Sequence, residues 1–165
     1  MIETKQSWHY VPAKLRTAQR GSVTVEMALI LIVMLMIMAG VFEFSRAFWY
    51  YNALDKSTRD AARFMSAVTS IDITNSSNTS SAVATAKSLA LLTANGANVS
   101  PTLTASNIDI KCDAAACTGT KPSNVTVTII NFSIKIGSLF PFVLVPGGNY
   151  GDTTLSPSTT MRYMN

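Results

Sequence analysis

Side chains suited to covalent chemistry are scarce in this sequence of 165 residues: it has one histidine, His9, and two cysteines, Cys112 and Cys117. With His9 set among the first twenty residues, the rest of the chain lacks the base of a Ser-His-Asp or Cys-His site and the imidazoles of a His-rich metal centre. Cys112 and Cys117 stand in C-D-A-A-A-C, which is not the C-x-x-C spacing of a redox pair, and a metal would want at least two further ligands. Outside a reducing compartment the pair reads as a local structural disulfide closing a tight loop, with two free thiols as the alternative. The chain is therefore expected to be no enzyme, and to carry no cofactor and no metal.

The more informative spacing is Gly21-Ser22 followed by Glu26. A basic leader ends at Gly21 directly before an apolar run, and glycine, lacking a Cβ, lets an extended backbone approach a protease closely, so Gly21-Ser22 is a candidate processing site. Cleavage there would make Glu26 the fifth residue of the released chain, near a new α-amino group on the same subunit or a neighbouring one. Glu26 is the candidate for a charge pair that serves assembly. The alternative is a carboxylate that snorkels to the membrane surface from the first helical turns, favoured there by the helix dipole.

These residues are positioned by an apolar segment. Residues 27–42 are sixteen positions without a charge, and from Ser22 only Glu26 interrupts 21 residues. At about 1.5 Å per residue this spans a hydrocarbon core of about 30 Å. Lys5, Lys14, Arg16 and Arg20 precede it, whereas mixed charges follow, so the positive-inside bias puts the N-terminus in the cytoplasm and the C-terminal part outside. The formal charge of +4 comes mostly from that basic head, which argues against a nucleic-acid partner.

The run R-G-S-V-T-V-E-M-A-L around Gly21 resembles the type IV prepilin processing signal. Its continuation G-V-F-E-F-S-R at 40–46, then N-A-L at 52–54 and D-A-A-R at 60–63, resembles the TadE-like minor pilins, or pseudopilins, of tight-adherence (Flp) pilus systems. The stretches 125–132 and 155–162 are similar to that family's closing strands. Met27 replaces a frequent phenylalanine and an early proline is missing, which implies a straighter helix here. The resemblance implies cleavage by a prepilin peptidase and association with other major and minor pilin subunits and the inner-membrane assembly machinery. It also implies a single-pass protein of the bacterial inner membrane, held by membrane lipid and available for incorporation into an extracellular pilus. Against this structural subunit stands a second reading, an uncleaved membrane-tethered adhesin or binding module.

The expected fold class is α+β, in three parts: a basic leader at 1–21, a helical spine at 22–68 whose first half is transmembrane, and an extracytoplasmic head at 69–165. The spine would be about 70 Å long, with Asp55 and Arg59 paired at i,i+4 and Tyr51, Leu54, Thr58, Ala61, Met65 and Val68 on its apolar face. Phe42, Phe44, Phe48, Trp49, Tyr50 and Tyr51 form a candidate aromatic belt. Residues 69–81, with eight Ser or Thr, read as an exposed connection, and 82–94 as a short helix ended by Asn95-Gly96. Strands are expected at 107–112, at 125–136 with a bulge near Ile129-Ile130, and at 153–163, where Pro157 implies an edge or a late start. The apolar stretch 139–145 is too short to span a bilayer and reads as packing or contact surface.

Overall fold

The computed structural model describes residues 20–69, 72–73, 81–117, 121–140 and 151–165. The leader before Arg20, most of the Ser/Thr-rich connection and the stretch 141–150 lie outside the described residues. Helix α1 runs Arg20–Ala67 without interruption, as expected of 48 residues that contain no proline. The chain divides into two compact units, Met1–Met38 and Ala39–Asn165.

In the first unit every described side chain from residue 21 to residue 38 is exposed. These include Leu29, Ile30, Leu31, Ile32, Val33, Leu35 and Ile37, each more than half exposed. The second unit holds the core, to which the later turns of α1 contribute Leu54, Ala61, Ala62 and Met65, all fully buried. Tyr50 takes the place that the periodicity gave to Tyr51: Tyr50 is 9% exposed and Tyr51 43%. Adjacent tyrosines lie about 100° apart on a helix, and the core selects the one in phase with Leu54. Thr58 is buried with its hydroxyl accounted for, at 2.9 Å from the Asp55 carbonyl and 2.8 Å from Thr159 Oγ1.

Helix α2, Ser81–Gly96, lays small residues against the same core at four-residue spacing: Ala82, Ala86, Ala90 and Ala94. It stops where the Asn-Gly signal placed its end. The Asn95 side chain accepts from the Leu103 N–H at 3.0 Å and donates to the Leu103 carbonyl at 3.1 Å, tying the following loop to the helix end. Within the expected exposed connection, Ile73 is instead fully buried in the core. The polarity of the surrounding Ser/Thr run masks one isoleucine with a core role.

Among the described residues five strands follow: β1 Ile108–Cys112, β2 Asn124–Ile129, β3 Ser133–Lys135, β4 Asp152–Thr154 and β5 Ser158–Arg162. They make an antiparallel sheet of order β1-β2-β5 and a separate antiparallel pair β3-β4. Two expected strands are thus each divided between sheets. Residues 125–136 become β2 and β3, and 153–163 become β4 and β5.

The registers explain the division. Thr128 faces Ser158 in one sheet and Ser133 faces Thr154 in the other, so four residues on one side match three on the other. That is the one-residue offset of a bulge, opened into a break between sheets. Asn131 absorbs it at φ 53°, a left-handed conformation that asparagine tolerates. Asn107 fills the gap: its carbonyl accepts from the Ile130 N–H at 2.8 Å, and its side-chain amide donates to the carbonyls of Ile130 and Asn131 at 3.2 Å each. Buried positions accordingly shift phase, from Val125, Val127 and Ile129 to Phe132 and Ile134. Pro157 precedes β5, an edge strand with the late start expected of it.

Candidate functional site

Gly21, Ser22 and Glu26 occupy the first two turns of α1, and all three are exposed. A Cβ at Gly21 would meet nothing within 4 Å, so no close approach within the described residues requires glycine there. Gly21 stands in the first turn of α1, where glycine is penalised less than in a helix interior, and nothing in its own packing selects it over a residue with a side chain. Glu26 makes no hydrogen bond or ion pair among the described residues. A carboxylate on an exposed apolar helix is available to a cation supplied from elsewhere.

A second constellation lies at the far end of the apolar run, where Glu43 follows Phe42 directly and Arg46 follows it by about one helical turn. Glu43 is 7% exposed, and both of its oxygens are used. Oε2 pairs with Arg46 Nη2 at 2.8 Å, and Oε1 accepts from the Leu139 N–H at 2.8 Å. Arg46 Nη2 also donates to the Lys135 carbonyl at 2.8 Å, and Nη1 to Ser138 Oγ at 2.9 Å. The guanidinium carbon lies 6.0 Å from the centre of the Tyr50 ring, within cation–π range. An i,i+3 ion pair on α1 thus clasps the loop that leaves β3, some ninety residues away in sequence. Arg46 Nε is buried without a partner, a cost of about 1–3 kcal/mol that the surrounding bonds offset.

Both residues stand in G-V-F-E-F-S-R, where local pattern alone assigns neither a role. The available signal was an acid and a base three residues apart at the first polar turn after sixteen uncharged positions.

Around the clasp, Phe42, Phe44, Phe48 and Trp49 are 57–73% exposed, as a belt at a membrane surface would be. The Trp49 indole N–H donates to the Ala97 carbonyl at 3.3 Å. Asp55 and Arg59 form the expected i,i+4 pair at 2.7 Å. Tyr163, near the C-terminus, is buried and donates its hydroxyl to the Val68 carbonyl at 2.6 Å. Burial, and secondarily the negative charge of Asp72, push the Tyr163 phenol above its ordinary value of 10.0.

Cys112 and Cys117 are joined in a disulfide. The hairpin turn beneath it has φ 50° at Asp113 and 67° at Ala114, the left-handed pair of a type I′ turn, with Cys112 and Ala115 exchanging backbone bonds of 2.8 and 3.1 Å. Asp113 also accepts from the N–H groups of Ser123 and Asn124 at 2.7 and 2.8 Å, which anchors the start of β2. The arrangement is a structural staple. Among the described residues no cluster of His, Cys, Asp and Glu is placed to hold a metal.

Residues 21–63 match the family model described as TadE-like protein. The matched segment takes in Gly21, Ser22, Glu26 and the Glu43–Arg46 pair, and it ends within α1. No curated protein and no solved structure matches the chain.

Proposed function

We propose that this chain, TadE-like over residues 21–63, is a membrane-held, pilin-like minor subunit of a tight-adherence pilus system, with a structural rather than enzymatic role. The observation that carries the reading is the uncovered apolar helix. Every described side chain from 21 to 38 is exposed, although the helix is long and apolar enough to cross a membrane. Leaving so much apolar surface in water is untenable, and lipid or the equivalent helices of other subunits are the solvents that fit it.

Maturation between Gly21 and Ser22 by a prepilin peptidase accounts for a glycine that the local packing does not require. The released α-amino group would then meet Glu26 of the same or a neighbouring subunit, so that two charges inside an apolar environment are satisfied together. The basic leader holds the N-terminus in the cytoplasm, and the sheet-bearing unit faces outward, where the Cys112–Cys117 bond is stable. In this reading the chain is substrate and building block; its partners are the peptidase, other pilins, the assembly machinery of the inner membrane and lipid.

N-terminal sequencing of the chain extracted from membranes is the test. A start at Ser22 supports the reading, and Gly21→Leu should then leave only the full-length chain. An intact leader on the functional, surface-exposed protein would favour an uncleaved tethered binding module instead.

A further inference from the structure

The clasp borders an open cleft of about 390 Å³, lined by Arg46, Ser100, Pro101, Ser133, Lys135 and Ser138. Five of these six side chains are hydrogen-bond donors, and among the described residues no carboxylate lines the cleft. Three of the donors have no partner among the described residues: the hydroxyls of Ser100 and Ser133 and the ammonium of Lys135. Ser138 uses its oxygen to accept from Arg46 Nη1, which leaves its hydroxyl proton to donate. Glu43 is consumed by Arg46 and the Leu139 N–H, and Asp152, opposite Lys135 in the β3-β4 pair, makes no ion pair with it. A cleft with several free donors and a free cation calls for an anion with several acceptor oxygens.

Its depth on the chain narrows the choice. Arg46 follows Phe42, the last residue of the uncharged run, by four positions, or about 6 Å along the helix. The exposed rings of Phe44, Phe48 and Trp49 belong to the same turns of α1, and aromatics of this kind sit at headgroup level. We infer that the cleft is a binding site for the phosphate of a phospholipid headgroup, held by Lys135 and the serine hydroxyls, with Arg46 fixing Ser138 in the cleft wall. The inference rests on the membrane-anchor reading of the apolar helix. The free ammonium of Lys135 suits phosphate, and the surrounding hydroxyls satisfy its remaining oxygens. Such a site would fix the outward unit at a defined height on the bilayer surface.

The test uses the full chain in detergent micelles, titrated with phosphatidylglycerol and followed by native mass spectrometry. Diacylglycerol, which shares the chains but lacks the phosphate, is the control, and inorganic phosphate is the competitor. One phosphatidylglycerol per chain is expected, with no retention of diacylglycerol and little displacement by millimolar inorganic phosphate. Lys135→Gln should weaken retention about tenfold, and Ser133→Ala should weaken it further in combination. Neither change touches the clasp, which uses only the backbone carbonyl of Lys135. Equal retention of diacylglycerol, or unchanged retention by the double variant, would overturn the inference. Complete displacement by inorganic phosphate would assign the cleft to the free ion and overturn the lipid source. Release of the chain from native membranes by alkaline carbonate would defeat the anchor reading alone, because the micelle titration reports on the cleft in either case.

Discussion

Glu43 and Arg46 show how two ordinary side chains become structural when their surroundings leave them no alternative. Glu43 has 8% of its side chain exposed and Arg46 22%, so the pair is shielded enough to matter and wet enough to fall short of a fully buried bridge. Arg46→Ala would leave the Glu43 carboxylate with only the Leu139 N–H, and we expect a loss of about 2 kcal/mol in chemical unfolding of the full chain. Glu43→Gln in the same background should restore part of that loss, because the stranded charge is gone; equal loss in both proteins would show that the pair does not act as a unit. Tyr163 offers a pH test. Burial and Asp72 raise its folded-state pKa above 10.0, so the folded chain holds the phenolic proton more tightly than the unfolded chain does. That contribution is complete below pH 10 and disappears as pH climbs through the raised value. Tyr163→Phe should lose the bond to Val68 at neutral pH yet show a flatter fall in stability above pH 10, and parallel wild-type and variant profiles there would contradict the assignment.

At the scale of elements, the break between the two sheets depends on a residue that belongs to neither. Asn107, in the 3₁₀ turn Ala105–Asn107, serves the carbonyls of Ile130 and Asn131 and accepts from the Thr104 N–H at 3.1 Å. Asn107→Ala should therefore destabilise the full chain by about 2 kcal/mol, the cost of leaving partly buried backbone groups without partners. Hydrogen exchange should quicken around residues 129–133 first; uniform change across the sheet would argue that Asn107 merely packs. The same element marks the boundary of what the sequence disclosed. Alternation in 125–136 revealed the phase shift at Ile129-Ile130, because local burial sets it, but the switch of sheets depends on Asn107 and on register with residues 152–162, which no local pattern encodes. Helix α1, the Asn95-Gly96 stop, β1 and the cysteine staple were legible for the converse reason: their signals lie within a few residues of one another. The clasp of Glu43 and Arg46 on residues 135–139 was hidden by sequence distance, and Ile73 by the polar run around it.

Across the whole molecule, one unit builds a core and the other exposes an apolar helix that carries a single carboxylate. A chain meant only to be anchored gains nothing from Glu26, since a carboxylate in an apolar span costs up to about 3 kcal/mol at mid-bilayer and less toward the surface. The proposed compensation is an α-amino group released at Ser22, and its consequence separates assembly from anchoring. Glu26→Ala makes the span more apolar, so insertion should persist, and cleavage should persist because Gly21 is untouched. What should fail is association, because the amine would be left without its counter-charge in an apolar environment, a loss commonly of about 3–5 kcal/mol when one partner of a buried pair is removed. Crosslinking or co-purification with other pilin subunits should fall sharply, and surface filaments should disappear. Were Glu26 only a first-turn carboxylate at the interface, its removal would cost about 0.3–1 kcal/mol, and filaments would form as before. Normal filaments built by a stably inserted, correctly cleaved Glu26→Ala chain would therefore remove the charge pair from the mechanism, while the apolar helix would still require its lipid.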